Sequence, residues 1–309
     1  MRNTVEPTLS NGSDRITAAD ALSLTVIFLL AVIVAFFRRQ LGADAVWLLG
    51  TFASLSLFIL LAIVMSGRRP IWGMVHAFSP ALILPVLFNT LGPLIDCSSP
   101  ARWDAEFARL DARLFGDLAA LWRGVLGRPA WLTDLSYLAY VSYYLTPVVL
   151  AVLLYRRETK DDFRQLVFTV ALTFYASYVG YFMFPTLGPR VPAHSEAWLI
   201  GGGAVSRGVR LFIEAAERTR ADAFPSGHTA IAVVCLAFAW RTSTAAFVGL
   251  APVVAAIIFS TVYLHYHYVV DVVAGLGLAG ACMWAGPRLE PVVEPSTVLR
   301  RFGLRLRLW

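Results

Sequence analysis

Apolar runs long enough to cross a lipid bilayer recur along the whole chain, at about 21–37, 45–65, 71–95, 130–155, 164–185, 226–240, 244–264 and 267–286. A hydrocarbon core about 30 Å thick takes roughly 20 helical residues, and within it a helix satisfies its own backbone N–H and C=O groups. The runs therefore predict an all-α polytopic membrane protein with about eight transmembrane helices. Composition agrees: 58% of the 309 residues are hydrophobic and mean hydropathy is +0.66, well beyond what a water-soluble domain needs. Arg38 and Arg39 follow the first run, which has no small-residue cleavage site, so it is expected to stay as a helix rather than be removed as a signal peptide.

The net charge is +6, but its arginines sit in short loops and at the C-terminus, where membrane topology accounts for them without nucleic acid. With Arg288, Arg300, Arg301, Arg305 and Arg307 cytoplasmic, alternation also places Arg241, residues 156–164 and Arg68–Arg69 inside. Segments 96–129 and 186–225 then lie outside, and Arg38 and Arg39 run against the bias. Cys97, Cys235 and Cys282 have no metal-ligand spacing, and the sequence offers no carboxylate or histidine cage for a metal. Neither a metal nor another cofactor is expected.

Three ionisable residues converge at the outer ends of late spans: His228, in PSGH at the start of the sixth run, and His267 and Asp271 at the start of the eighth. Ionisable groups at membrane depth need partners and mark function. His267 and Asp271 are four apart, so on a helix they share a face; the carboxylate can take a hydrogen bond from one imidazole nitrogen and leave the other free as a nucleophile. An intrahelical packing pair is the competing account. In PSGH, Pro225 suits a helix start, the first-turn N–H groups and the Ser226 hydroxyl can hold phosphate oxygens, and His228 can protonate a leaving oxygen. A plain N-cap serine is the alternative for Ser226. Arg190, in the outer segment after the fifth run, would supply a bidentate phosphate contact.

PSGH, followed some forty residues later by a His-x-x-x-Asp helix, resembles the second and third motifs of the type 2 phosphatidic acid phosphatase superfamily. That resemblance implies a six-helix catalytic core, His267 as nucleophile, Asp271 as its orienting acid, His228 as general acid, and Ser226 and Gly227 as phosphate-pocket donors. The resemblance covers 71–286 as a catalytic membrane domain; the polar stretch 1–20 reads as a disordered tail, 21–66 as an extra helix pair and 287–309 as a basic tail. Against the family pattern, Met183 occupies the lysine place of the first motif, Val191 follows Arg190 in place of proline, and Thr261 follows Ser260 in place of arginine. WDAEFARLDARLFG, LSYLAYVSYYLTP and LHYHYVVDVVAG look instead like the inositol phosphorylceramide synthase branch, whose members transfer lipid head groups.

The expectation is transfer of a lipid phosphate or phosphodiester group at the non-cytoplasmic face, of the inositol phosphate type. A lipid phosphate or polyprenyl pyrophosphate phosphatase, or a non-catalytic transporter or scaffold, are the alternatives. The partners are a lipid substrate and the bilayer; the oligomeric state is left open. Secondary candidates for substrate contact are His265, Tyr137, with Tyr140 and Tyr144 on the same stripe, and Asn89. His194 lies near Arg190, and His76, near the opposite end of its span, reads as a structural histidine. Trp103, Phe107, Leu110 and Leu114 recur at helical spacing, which predicts an amphipathic helix in the outer interface over 102–115.

Overall fold

A computed structural model describes residues 16–99, 101–127, 129–157, 160–189 and 202–293. Arg190, His194, most of the expected N-terminal tail and residues 294–309 of the basic tail lie outside the described residues. Fifteen helices fill the described residues and no strand occurs among them: α1 (Ala18–Phe36), α2 (Arg38–Leu41), α3 (Ala43–Met65), α4 (Pro70–Ala77), α5 (Pro80–Phe88), α6 (Leu91–Ser98), α7 (Asp104–Phe115), α8 (Leu118–Leu126), α9 (Ala130–Ser142), α10 (Leu145–Tyr155), α11 (Asp161–Met183), α12 (Ala204–Ala216), α13 (Gly227–Thr242), α14 (Thr244–Tyr263) and α15 (Val269–Val293).

Among the described residues six spans are long and apolar enough to cross a membrane: α1, α3, the pair α4–α5, α11, α14 and α15; a seventh is added if α9 and α10, bent by 49°, count as one. Length and apolarity therefore do not establish the expected eight. The remaining run, α13, has 16 residues, about 24 Å at 1.5 Å per residue. Ser226 caps one end and Ser243 stops the other by capping α14. The 71–95 run is broken at Phe78–Ser79, where Pro80 opens α5, and again before α6. Between α9 and α10 the break falls at Tyr143–Tyr144, four residues before Pro147, whose ring removes the N–H that would bond to Tyr143 and crowds its carbonyl.

Helix α11 is the packing axis, with Phe163, Leu166, Val170, Ala171, Tyr175, Tyr178 and Tyr181 buried along its length, against α1, α5, α6, α10, α13 and α15. Ile27, Leu30 and Val34 of α1 and Leu48, Phe52 and Ile59 of α3 join the same apolar cluster as the later helices. Outward, large apolar side chains such as Phe28, Leu61, Val248 and Trp284 are exposed, as a lipid solvent requires.

Some polar residues inside this core fasten one helix to another. Thr17 and Asp20 form a capping box at the start of α1, and the same Asp20 carboxylate accepts a 2.8 Å hydrogen bond from Nε2 of His76 in α4, both side chains buried. Removing one partner leaves the other buried without its counterpart, so Asp20→Ala is expected to destabilise the protein by about 3 kcal/mol. Thermal unfolding in detergent tests this, with Asp20→Ala/His76→Phe expected to recover part of the loss.

Candidate active site

The end of α14 sets the geometry. His265 N–H donates to the Val262 carbonyl and Tyr266 N–H to that of Thr261, both at 3.0 Å, with His265 at φ +62°. This is a Schellman turn with histidine in the left-handed position usually given to glycine, a conformation that histidine tolerates better than most residues. His267 N–H shares the Thr261 carbonyl, also at 3.0 Å. The chain reverses within four residues, and Tyr268 leads into α15 with its N–H bonded to Oδ2 of Asp271, 2.8 Å away.

His267 therefore lies in the turn before α15 and does not share a helical face with Asp271, as the four-residue spacing suggests. Its Nδ1 is 2.8 Å from the Ala223 carbonyl oxygen. A carbonyl only accepts, so Nδ1 carries the proton and the lone pair is left on Nε2. Asp271 stands second in line, with Oδ2 3.5 Å from Nδ1. It is fully buried, and its Oδ1 has no hydrogen-bond partner among the described residues. The orienting hydrogen bond thus comes from a backbone carbonyl 44 residues away in sequence, and the carboxylate backs it at longer range.

Nε2 of His267 faces Nδ1 of His228 at 3.4 Å. His228 is the second residue of α13, after Ser226 at the N-cap and Gly227 at the first helical position. Ser226 accepts from Thr229 N–H at 3.3 Å and is buried, so its oxygen serves as the helix cap. Gly227 is buried too, and a Cβ there would stand 2.7 Å from the Tyr181 hydroxyl. The His228 ring is clamped by Tyr140 at 4.4 Å and Tyr143 at 4.2 Å, centroid to centroid. Tyr143 is the site residue that the tyrosine spacing missed: it falls off the Tyr137–Tyr140–Tyr144 stripe and reaches His228 because the chain breaks there.

The other candidates spread over the neighbourhood. Tyr137 meets Tyr266 edge-on at 6.4 Å, and Tyr140 stacks on Tyr266 at 4.3 Å. Tyr144 donates its hydroxyl to Glu217. His265 is buried at the crest of the turn. Asn89 is a brace: its amide donates to the Pro85 carbonyl at 3.0 Å and its Oδ1 accepts Arg218 N–H at 2.7 Å. Met183, in the lysine place, is exposed, and the Thr261 hydroxyl bonds back to Ile258. No cluster of metal-ligating side chains occurs among the described residues. An apolar groove between α5, α10 and α11 is lined by Leu84, Val148, Val170 and Phe174 together with Tyr143 and Tyr144.

A family model described as the PAP2 superfamily matches residues 105–285, the stretch that holds both histidines and Asp271. The chain belongs to the PAP2 superfamily. This PAP2-superfamily protein is accordingly an enzyme of the lipid phosphatase or phosphotransferase kind and an integral, multi-pass membrane protein. No curated protein and no solved structure matches it.

The PAP2-superfamily site depends on how closely α15 approaches the start of α13. A Cβ on Gly275 would stand 2.6 Å from the Ser226 carbonyl oxygen and 3.1 Å from Thr229 Cβ, whereas at Gly277 it meets nothing within 4 Å. Gly275→Ala is expected to displace the PSGH turn and lower kcat at least about tenfold, since a 1 Å misplacement can cost about a hundredfold. Gly277→Ala serves as the control, with kcat near wild type. Turnover of a lipid phosphate by the two purified variants checks this.

Proposed function

We propose that this enzyme transfers a phosphoryl or phosphodiester group of a membrane lipid through a phosphohistidine on His267, and that the physiological reaction is head-group transfer of the inositol phosphate type. The observation that carries the reading is the pairing of the histidines: one imidazole has its Nδ1 proton committed to Ala223, and its Nε2 lone pair meets a second imidazole at 3.4 Å. Attack on phosphorus opens that contact. A P–N bond to Nε2 forms as the P–O bond to the leaving group breaks, and His228, entering the step as the doubly protonated imidazolium, gives one proton to the departing oxygen and is left as the neutral imidazole. In the second step His228 takes the proton of the incoming hydroxyl, whose oxygen displaces Nε2 and restores both rings.

Asp271, buried beside Nδ1, favours the positive charge that develops on His267 as phosphorus is attacked. His228 stands in the first turn of α13, so the dipole of that helix favours a phosphate bound beside it, and we assign Arg190, Ser226 and Gly227 to holding that phosphate. The apolar groove that Tyr143 helps to line suits a hydrocarbon tail, and Tyr143 also touches His228, where the phosphate would lie. Head-group transfer is favoured over simple hydrolysis by the resemblance of the 102–115, 135–147 and 264–275 segments to inositol phosphorylceramide synthases, and by Met183 and Thr261 standing where phosphatases carry cations. A lipid phosphate or polyprenyl pyrophosphate phosphatase uses the same first step with water as acceptor. We place the site on the non-cytoplasmic face, because Arg68, Arg69, Arg156, Arg157 and Arg241 gather at the opposite ends of the spans.

Two variants separate the histidine roles. His267→Asn is expected to fold but abolish turnover of every substrate, because no phosphoenzyme forms. His228→Ala is expected to lose about 100-fold or more on a substrate with an alkoxide leaving group, and far less on an activated aryl phosphate whose oxygen needs little protonation. Equal losses of His228→Ala on both substrates would remove the general-acid role, and activity in His267→Asn would remove the nucleophile. Product analysis with and without an alcohol acceptor decides between transfer and hydrolysis.

A further inference from the structure

Helix α7 lies across the two turns that frame His267, and three residues on one of its faces make the contact. Asp104, Phe107 and Asp111 recur at i, i+3 and i+7, a spacing that aligns them along the helix. Oδ1 of Asp104 accepts the N–H of Leu187 and of Gly188, each at 3.0 Å, and Oδ2 accepts that of Leu187 at 3.1 Å. Two turns along, Oδ1 of Asp111 accepts the N–H of Val270 at 2.8 Å. Between them Phe107 stacks on Phe224 at 4.4 Å and packs with Tyr268 and Val270. The Trp103 N–H adds a 3.0 Å bond to the Pro185 carbonyl.

These contacts lead to His267 by two routes. The segment that Asp104 holds presents the Thr186 carbonyl to Ala223 N–H at 2.9 Å, and the carbonyl of the same Ala223 takes the Nδ1 proton of His267. Gly188, at φ +84°, lies against the Tyr266 carbonyl, too close for a side chain. From the other end, Asp111 grips the residue before Asp271, whose carboxylate holds Tyr268 N–H. Burial raises both α7 carboxyls above the usual carboxylate range while the N–H groups they accept pull them back. Half-burying two acids on a helix that otherwise faces outward has a cost, which is offset only if the groups they hold must stay in place.

We infer that Asp104 and Asp111 are positioning residues: α7 is a strap that fixes the tautomer and direction of His267 through the Thr186–Ala223 and Val270–Asp271 backbones. This rests on His267 being the nucleophile, and it gives the acidic interfacial helix a part in the reaction that a peripheral packing helix would not have.

The test compares Asp104→Ala, Asp111→Ala and the two asparagine variants with Arg109→Ala, an exposed change on the same helix, in full-length protein in detergent. Kinetics are read on a lipid phosphate, and the His267 tautomer by ¹⁵N NMR of histidine-labelled protein. Each alanine variant is expected to lose about 100-fold in kcat with KM changed less than about threefold, and its His267 signals to move from one Nδ1–H form toward a mixture. The asparagine variants keep an acceptor oxygen and should lose about tenfold, with a smaller spectral change. Because both residues act on one imidazole, the double alanine variant should lose less than the product of the single losses. If an alanine variant does not fold, its asparagine variant decides by the same two readouts. A wild-type His267 spectrum in the folded variants, or a kcat matching Arg109→Ala, would overturn the inference. A wild-type protein that turns over no lipid phosphate would instead overturn the phosphohistidine reading, while the spectra still test the strap.

Discussion

The Ala223 carbonyl decides which nitrogen of His267 is free, and that single hydrogen bond organises the rest of the site. A neutral imidazole has one protonated nitrogen, and whichever group takes that proton determines where the lone pair points. Here the acceptor is a backbone oxygen, held by the Ala223 N–H bond to Thr186 and by the PSGH turn that begins two residues later. A backbone acceptor cannot rotate away as a carboxylate can. Asp271 is thereby released to cap Tyr268 and to stand as a fully buried carboxyl group beside the ring.

Among the described residues, the two positions where the family pattern has a cation, Met183 and Thr261, carry none. The Thr261 carbonyl closes the turn while its hydroxyl bonds within its own helix, and Met183 extends outward. Gly275 in the second turn of α15 comes so near the PSGH turn that a Cβ there would stand 2.6 Å from the Ser226 carbonyl oxygen.

Elsewhere polar groups act as fastenings between helices. Tyr175 bonds to Ser23, Tyr178 to the Leu84 carbonyl and His76 to Asp20. Lipid tails give no hydrophobic drive for one apolar helix to prefer another, so such bonds and close packing select the neighbours. They also join α1 to α4 and α11, which makes the N-terminal helices part of one body with the catalytic ones.

By itself the sequence determined the class of solvent and the all-helical fold, and it singled out His228, His267 and Asp271 as candidates, because bilayer thickness imposes run length and an ionisable residue in an apolar run is conspicuous. It also marked the helix over 102–115 and the stripe of tyrosines. Only the tertiary structure decided that the 71–95 and 130–155 runs break, that Tyr143 rather than Tyr144 clamps His228, that Ala223 orients His267, and that Asp104 and Asp111 reach its two flanking turns. These are contacts between residues far apart in sequence, or through backbone atoms that every residue carries alike. Periodicity reports a residue's own face; the partner on that face depends on where a distant turn comes to rest.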